Sequence, residues 1–370
     1  MRRFAVLAAL LSLIACSPRG RGTAPIVLGI AGPFSQPRGI SMRHAAEMAV
    51  KEVNARGGIK GRPLVLRVMD DSGRADIAIG IAQQLVNDPA VVAVIGHLNS
   101  TASLAAGRIY GEARRPVVMI SPSASSPDLS GVNPYIFRVC PSDLSHGTQL
   151  ARYARQVLGA KRVGVIFLDD DYGRGLRLSF TAEFRRVAGA GAQIVEEDPM
   201  LSTTSSLEPY LSRLAQRGGV DALMLATDRP GAEIALHEMR RLGVHWTTLG
   251  GDALSGIETT GALAEGVRMS AAWLVDQPGD RNAQFVSGYA RAYPGERPDH
   301  RGAAAYDIVY LLADILMTTT DRTEIRDRLS RTSYEGVTGK IAFDANGDVP
   351  AKPVVIGTVR DGQLIAEPGQ

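Results

Sequence analysis

The segment Ile26-Val27-Leu28-Gly29-Ile30 is a short apolar run rich in β-branched residues, which is typical of a buried β-strand. Residues 39–54 then carry apolar side chains at the spacing of one helix face, namely Ile40, Ala45, Met48, Ala49 and Val53. The pair Gly57-Gly58 ends this predicted helix. A buried strand followed by a helix is the first part of a βαβ unit, which builds parallel sheets.

The same alternation continues along the chain in two series. The first series predicts strands over 64–69, 91–95 and 116–120, with helices over 75–87 and 104–114. The second begins near Ser142 and predicts helices over 144–158, 173–190, 207–216 and 231–243, with strands over 162–167, 192–197, 222–226 and 247–250. We therefore predict an α/β protein with two doubly wound, Rossmann-like lobes, each a parallel sheet covered by helices on both faces.

The last part of the chain has no sheet of its own. Helices are predicted over 281–293 and 301–317 without a strand between them, and 354–360 reads as a lone strand. These elements must pack on sheets built earlier in the chain. The chain therefore crosses between the lobes more than once, which favours a hinged pair with a cleft.

Composition and motifs argue against several classes of function. The 41 basic and 38 acidic residues are scattered without a basic block, so no nucleic-acid partner is expected. The sequence has no G-x-S-x-G elbow, Walker loop or H-E-x-x-H motif, and its six histidines lack metal-ligand spacing. An enzyme is the first competing class, but we predict no catalysis, cofactor or metal. His97, near the predicted cleft, is interpreted as a hydrogen-bonded structural residue.

The N-terminus has the pattern of a lipoprotein signal. Met1-Arg2-Arg3 precedes an apolar stretch over 4–14, and Leu13-Ile14-Ala15-Cys16 ends it. The stretch is shorter than the roughly 20 apolar residues that span a bilayer. We predict a signal peptide over 1–16 with a lipidated Cys16, which anchors the protein to a membrane outside the cytoplasm. The alternative is an ordinary signal peptide with an incidental cysteine. Lipidation would leave Cys140 without a disulfide partner in this chain.

Two loops after predicted strands of the first lobe are rich in hydroxyl groups. Residues 96–103 follow strand 91–95, and residues 121–127 follow strand 116–120. In open α/β sheets, ligands bind beyond the carboxyl ends of the strands, where helix N-termini favour an anion. Helix capping is the alternative, although it needs only one hydroxyl per loop. The candidate ligand contacts here are Ser100, Thr101, Ser121, Ser123 and Ser125.

The matching loops of the second lobe carry acidic residues. Asp169-Asp170-Asp171-Tyr172-Gly173, Thr227-Asp228-Arg229-Pro230 and Gly250-Gly251-Asp252 each follow a predicted strand. Each carboxylate alone is as well explained by a helix cap or a solvated charge. Together, Tyr172, Asp228 and Asp252 facing the hydroxyl-rich loops predict a cleft suited to a zwitterion.

Several motifs resemble one protein family. They are Asn54-Ala55-Arg56-Gly57-Gly58-Ile59-Lys60-Gly61-Arg62-Pro63-Leu64, Asp70-Asp71, Val94-Ile95-Gly96-His97, Ser121-Pro122-Ser123-Ala124-Ser125, Asp171-Tyr172-Gly173-Arg174-Gly175 and Gly339-Lys340-Ile341-Ala342-Phe343-Asp344. The combination resembles the substrate-binding proteins of branched-chain amino acid ABC transporters of the Leu/Ile/Val type, which are type I periplasmic binding proteins. The resemblance covers nearly the whole mature chain and is less specific for the ligand than for the family.

The resemblance implies two lobes joined by three crossovers. Residues 25–140 plus 273–350 would form the N-terminal ligand-binding lobe. Residues 142–271 plus 353–370 would form the C-terminal ligand-binding lobe. The family closes these lobes over a ligand that the N-terminal lobe holds first.

The resemblance also assigns roles to residues of the cleft. Ser100 and the segment Ser123-Ala124-Ser125 match positions that hold the carboxylate and ammonium groups of an amino acid. Tyr172 matches a cleft tyrosine of the second lobe. Asp252 matches the acidic residue that pairs with the ammonium group.

Other positions depart from the family pattern. Asp228 stands beside Arg229 where amino-acid binders often have an aromatic residue, and the loop over 34–39 lacks a tyrosine often found there. With Arg38 also near, such a pocket penalises Leu or Val, since an unpaired buried charge costs several kcal/mol. The sequence therefore favours an amino acid or another small polar solute over a branched-chain amino acid.

The function predicted from these features is solute capture outside the cytoplasm. The protein would bind a small-molecule ligand by hinge closure and deliver it to an ABC permease in the membrane. The alternative is a lipoprotein that senses a ligand and signals to a membrane receptor or kinase without transport.

Overall fold

The computed structural model describes residues 24–367. The predicted signal peptide over 1–16, with Cys16, lies outside the described residues. In the part of the chain that is described, no helix is long and apolar enough to cross a membrane.

The first sheet is parallel and built from the N-terminal part of the chain. Its strands are β1 (Ile26–Gly32), β2 (Leu64–Asp70), β3 (Val91–Ile95), β4 (Met119–Ser121) and β5 (Ile136–Arg138). They lie in the order β2-β1-β3-β4-β5, connected by helices that include α1 (Pro37–Ala55), α2 (Ala75–Asn87) and α3 (Ser100–Glu112). Every residue of β1 is buried, as expected for a parallel strand with helices on both faces.

The second sheet begins with five parallel strands from the middle of the chain. The helices of this region are α4 (Asp143–Arg152), α5 (Asp171–Val187), α6 (Glu208–Gln216) and α7 (Arg229–Leu242). The strands are β6 (Arg162–Leu168), β7 (Gln193–Met200), β8 (Ala222–Ala226), β9 (Thr247–Gly250) and β10 (Arg268–Ala271).

The rest of the chain returns to the first sheet and then joins the second. It forms α8 (Asp280–Ala292), α9 (His300–Leu316), α10 (Arg322–Leu329), the hairpin β11 (Ser333–Gly336) and β12 (Gly339–Ala342), and the strands β13 (Val355–Arg360) and β14 (Gln363–Ala366). Ile308 and Leu312 of α9 share a core with Leu28 of β1. Strand β13 pairs antiparallel with β10, giving the seven-stranded order β14-β13-β10-β9-β8-β6-β7.

We call the first sheet with its helices the first lobe and the second sheet with its helices the second lobe. The predicted α/β fold with two doubly wound lobes is confirmed. The boundaries 25–140 plus 273–350 and 142–271 plus 353–370 remain a proposal for how the chain is divided between the lobes.

Two predicted elements have different bounds for local reasons. The strand predicted over 116–120 begins only at Met119, because Pro116 has no N–H and Val117 N–H donates to Tyr110 O of α3 at 3.1 Å. The helix predicted over 144–158 starts at Asp143 and ends as α4 at Arg152, after which Tyr153–Val157 forms a π-helical turn. The other predicted elements are present, with ends shifted by four residues or fewer.

The strand predicted over 354–360 is present as β13 and joins a sheet built earlier in the chain, as expected, but it is not alone in the tail. This strand lies between β10 and β14 and pairs antiparallel with both. Neither neighbour was predicted, because Arg268-Met269-Ser270-Ala271 and Gln363-Leu364-Ile365-Ala366 are short and interrupted by polar residues. Helix α10 and the hairpin β11–β12 were missed as well, since their sequences lack a continuous apolar pattern.

His97 is a fully buried residue that joins three parts of the first lobe. Its Nδ1 lies 2.6 Å from Asp71 Oδ2, and its Nε2 lies 3.3 Å from the Tyr110 hydroxyl. Its carbonyl oxygen accepts hydrogen bonds from Ser103 Oγ at 3.0 Å and Ser121 Oγ at 2.7 Å. The predicted structural role of His97 agrees with these contacts, which fix the loops after β2, β3 and β4 relative to one another.

Replacing Asp71 by alanine tests this support. Asp71→Ala leaves the buried His97 Nδ1 without its partner, so we expect it to lower the free energy of unfolding by about 1–3 kcal/mol. Chemical denaturation followed by circular dichroism measures this change. Asp76→Ala, which removes an exposed carboxylate paired with Arg74, is the control and should leave stability unchanged. Equal stability of the two variants would contradict a supporting role for Asp71.

Candidate functional site

The loops at the carboxyl ends of both sheets surround one cavity of about 840 Å³, which we call the cleft. Ser100 follows β3 and Ser123 follows β4, while Asp170, Asp228 and Asp252 follow β6, β8 and β9. The volume lies in the range of pockets that enclose a small molecule. The cleft is therefore lined from both lobes by the loops that the sequence singled out.

The first-lobe side of the cleft contains a helix N-terminus. Ser100 is the first residue of α3, and its N-cap Asn99 makes no side-chain capping hydrogen bond. The N–H groups of a first helical turn lack intrahelical acceptors, so they favour an anion at this position. Ser100 Oγ accepts a hydrogen bond from Ser126 N at 3.2 Å, which joins the two hydroxyl-rich loops.

The predicted ligand residues fall into two groups. The cleft is lined by Ser100, Ser123, Tyr172, Asp228 and Asp252. Ser121, Ala124 and Ser125 lie buried behind this lining, and the half-buried Thr101 does not line the cleft either. Sequence reasoning did not separate the two groups, because burial depends on how the loops fold.

The hydroxyl groups behind the lining shape the loops. Ser121 Oγ donates to His97 O and accepts from Ala124 N at 2.9 Å. Thr101 Oγ1 accepts from Asp171 N at 3.3 Å, a contact between the two lobes. Ser125 is 1% exposed, and its side chain lies beside the buried Asp143 carboxyl.

Arg138 stabilises the loop after β4 from its buried side. This fully buried side chain donates from Nη1 to Ser126 O at 2.8 Å, from Nη2 to Ser130 Oγ at 2.6 Å, and from Nε to Asp348 Oδ1 at 2.7 Å. Sequence reasoning missed this role. The available signal was an arginine inside the apolar run Ile136-Phe137-Arg138-Val139, since a buried guanidinium needs such partners.

Asp252 lies at the buried end of the cleft with no cation beside it. Its side chain is 4% exposed, and its Oδ2 lies 3.6 Å from His300 Nε2 and 3.9 Å from His146 Nε2, beyond hydrogen-bond distance. Among the described residues, this oxygen has no hydrogen-bond partner, and no lysine or arginine forms an ion pair with Asp252.

Both neighbouring histidines are neutral near pH 7. Burial lowers the pKa of His300 to about 4, and the charge of Arg301 is the second cause. Burial also lowers the pKa of His146, whose Nδ1 lies 2.8 Å from Ser270 Oγ. A carboxylate between two neutral imidazoles has no balancing charge, so a cation that enters the cleft is attracted to Asp252.

Two further acidic groups lie near Asp252. Burial raises the pKa of Tyr172 well above its usual value, and its hydroxyl accepts a hydrogen bond from Ala253 N at 3.4 Å. Burial and the charge of Asp252 together raise the pKa of Asp143 well above its usual range, which favours its protonated form. Sequence reasoning missed Asp143, His146 and His300, because no motif connects them with Asp252.

A charged pair closes the outer end of the cleft. Arg38 Nη1 lies 3.4 Å from Asp228 Oδ2, and these side chains are 28% and 27% exposed. Asp228 also caps α7 by accepting from Gly231 N at 3.3 Å. Arg229, next in sequence, pairs with Glu233 of its own helix at 2.6 Å. The charges predicted beside the ligand are therefore already paired, Arg38 with Asp228 and Arg229 with Glu233.

No metal centre is formed in the described ranges. No group of three or more His, Cys, Asp or Glu side chains within residues 24–367 is arranged to hold a metal ion. The site offers instead hydroxyl groups, backbone N–H groups and a buried carboxylate. These groups can bind a polar solute through hydrogen bonds and charge.

The pH dependence of stability tests the neutral state of His300. Its pKa of about 4 in the folded protein lies below the usual 6.5, so the unfolded chain binds an extra proton between these values. The stability contribution is therefore complete above pH 6.5 and is lost as the pH falls to 4, by about 3 kcal/mol in total. His300→Gln should remove this part of the acid destabilisation in denaturation curves recorded from pH 7 to 4. The exposed His245→Gln is the control, and an unchanged slope in His300→Gln would contradict the assignment.

Comparisons with known proteins agree with this architecture. A family model described as periplasmic binding protein matches residues 24–363. The Leu/Ile/Val-binding protein of Citrobacter freundii is 27% identical over 332 residues, which cover 88% of this chain and 87% of that protein.

Two solved structures of substrate-binding proteins are also similar to this chain. An ABC transporter substrate-binding protein from Desulfitobacterium hafniense in complex with Leu is 30% identical, with a TM-score of 0.79 over 93% of this chain and 100% of that one. A branched-chain amino acid transporter substrate-binding protein from Streptococcus pneumoniae in complex with isoleucine is 26% identical, with a TM-score of 0.83 over 93% and 99% of the two chains. Such solute-binding proteins are not enzymes, and the family is extracytoplasmic. The match over residues 24–363, together with two α/β lobes around one cleft, shows that the chain belongs to the periplasmic binding protein family.

Proposed function

We propose that this protein is the extracytoplasmic receptor of an ABC importer, and that it captures an amino acid or a similar small polar solute in the cleft. The observation that carries this proposal is the buried Asp252 carboxylate, which has no cationic partner in the described chain and lines the same cleft as a first-lobe helix N-terminus. One site attracts a cation and the other an anion. A zwitterion satisfies both.

The ligand's carboxylate would bind at the N-terminus of α3. There the free N–H groups of the first turn and the hydroxyls of Ser100 and Ser123 are available to it. The ammonium group would bind Asp252 Oδ2, displacing the neutral imidazole of His300 from beside it. A charge-assisted hydrogen bond from the ammonium group then replaces the His300–Asp252 contact, which is too long for a hydrogen bond.

Binding by groups from both lobes explains how the ligand would close the cleft. The α3 N-terminus belongs to the first lobe and Asp252 to the second. Arg38 contacts Asp228 and Thr101 contacts Asp171, so groups of the two lobes already meet near the cleft. A ligand adds contacts to both sides only when the lobes are closed, so it shifts the hinge equilibrium toward the closed form. The closed protein would then dock on the membrane permease.

A substitution at Asp252 tests the ammonium site. The solute is first identified by calorimetric titration of the purified protein with amino acids, amides, urea and small carboxylates. For an amino acid that binds, Asp252→Ala should cost about 2–5 kcal/mol of binding free energy, because the ligand's ammonium is left without its charged partner. The same titration of the variant measures this loss.

The control is Asp327→Asn, which changes an exposed carboxylate on α10 paired with Arg326. It should bind the same amino acid with wild-type affinity. Unchanged affinity in Asp252→Ala, with folding intact, would rule out a zwitterion held by this residue.

We further propose that Cys16 carries the lipid that holds the receptor at the membrane. In a bacterial host grown with labelled palmitate, Cys16→Ser should lose the label and leave the membrane fraction. Cys140→Ser is the control, since Cys140 is buried at 3% exposure and burial raises the pKa of its thiol to about 12. Label retained by Cys16→Ser, or lost from Cys140→Ser, would contradict the assignment.

A further inference from the structure

The cleft has a buried end and a half-exposed end. At the buried end, the side chains of Asp252 and His300 are 4% and 6% exposed. At the outer end, those of Arg38 and Asp228 are 28% and 27% exposed. An amino acid anchored by its ammonium group at Asp252 extends its side chain away from that end. The Arg38–Asp228 pair is therefore placed to contact the end of the ligand's side chain.

The Arg38 guanidinium is held in place, but its hydrogen-bond donors are not all used. Its Nε donates to Gln36 Oε1 at 2.8 Å, and Gln36 is fixed in turn by donating from Nε2 to Ser72 O at 2.9 Å. The contact of Nη1 with Asp228 Oδ2, at 3.4 Å, is longer than the 2.7–2.9 Å typical of charge-assisted hydrogen bonds. A guanidinium has five N–H donors, so Arg38 retains donors for a ligand beside these two contacts.

Asp228 likewise has hydrogen-bond acceptor positions that a ligand can use. Its Oδ1 accepts from Gly231 N at the start of α7, while its Oδ2 makes the long contact with Arg38. An ionised carboxylate has about four acceptor positions on its two oxygens. The pair therefore offers both a donor and an acceptor to a group that enters between the lobes.

Charges of both signs surround this pair. Arg38 feels the positive charge of Arg301 and the negative charges of Asp228 and Asp170, with Asp71 behind them. Arg301 is itself paired with Asp299 at 2.7 Å, and Asp71 with His97. A ligand group with a full charge of either sign meets a like charge here, and an aliphatic group leaves both members of the pair desolvated without new partners.

We propose that the cleft selects an amino acid whose side chain ends in an uncharged group that both accepts and donates hydrogen bonds, a carboxamide or a ureido group. The oxygen of that group accepts from Arg38, and its N–H donates to Asp228. This inference rests on the proposed function, because it requires the amino-acid end of the ligand to bind at Asp252.

Near-isosteric amino acids give a direct test by calorimetric titration. Asparagine is compared with aspartate and leucine, and glutamine with glutamate and methionine, with citrulline as the ureido probe. We expect one of the uncharged polar probes to bind about 100-fold more tightly than the charged and aliphatic amino acids of similar size. These sets keep the shape nearly constant and change only hydrogen bonding and charge.

Variants of the pair connect the preference with these two residues. Arg38→Met keeps an apolar stem, and Asp228→Asn keeps a side chain that caps α7 equally well. Each substitution should lower the affinity for the preferred probe roughly tenfold or more. In the double variant, the affinity should fall by less than the product of the two single-variant factors. Arg43→Met is the control, since it breaks an exposed pair with Glu47 on the same helix α1, outside the cleft. Thermal melting verifies that every variant folds.

The outcomes separate this inference from the proposed function. If leucine, methionine or an acidic amino acid binds as tightly as its polar counterpart, the inference is wrong and the receptor function stands. Unchanged affinity in Arg38→Met and Asp228→Asn overturns it as well. If no amino acid binds at all, both the zwitterion site at Asp252 and this inference are wrong.

Discussion

Asp252 is a carboxylate held at 4% exposure between two neutral histidines, with no lysine or arginine paired to it in the described chain. Burying such a charge is unfavourable unless a partner arrives. The position of Asp252 follows from the second sheet, because β9 ends directly before Gly251-Asp252. The position of His300 follows from α9, which packs on the first sheet. The relative position of the two lobes therefore determines whether His300 and Asp252 come together in one site.

The rest of the site is arranged before any ligand binds. Arg138 fixes the loop after β4 through three hydrogen-bonding groups, and His97 joins the loops after β2, β3 and β4. Gly251 lies so close to Tyr172 that a Cβ atom there would approach the tyrosine hydroxyl to 2.2 Å, so the close packing of these two residues requires glycine. Loops held in this way lose little conformational entropy on binding, which leaves more of the contact energy for affinity.

The fold and the outline of the site could be predicted from the sequence because both depend on local patterns. Short apolar runs marked the central strands, and the rule that ligands bind beyond strand ends located Ser100, Tyr172 and Asp252. Strands β10 and β14 were not predictable in the same way, since polar residues interrupt them and their place depends on pairing with β13.

The remaining site residues are separated widely in the sequence and meet only after folding. His146 comes from α4 of the same lobe as Asp252, whereas His300 comes from α9 of the first lobe and reaches Asp252 across the cleft. The sequence predicted Arg38 and Asp228 near the ligand's side chain but could not reveal that they pair with each other across the cleft. Pairing of this kind depends on the distance between lobes, which local patterns do not encode.

A crystal structure of the protein with its bound solute is the most direct test of a zwitterion held between the lobes. We predict an ammonium nitrogen within hydrogen-bond distance of Asp252 Oδ2 and a carboxylate at the N-terminus of α3. A solute without an ammonium group, or one bound with its carboxylate toward Asp252, would contradict it.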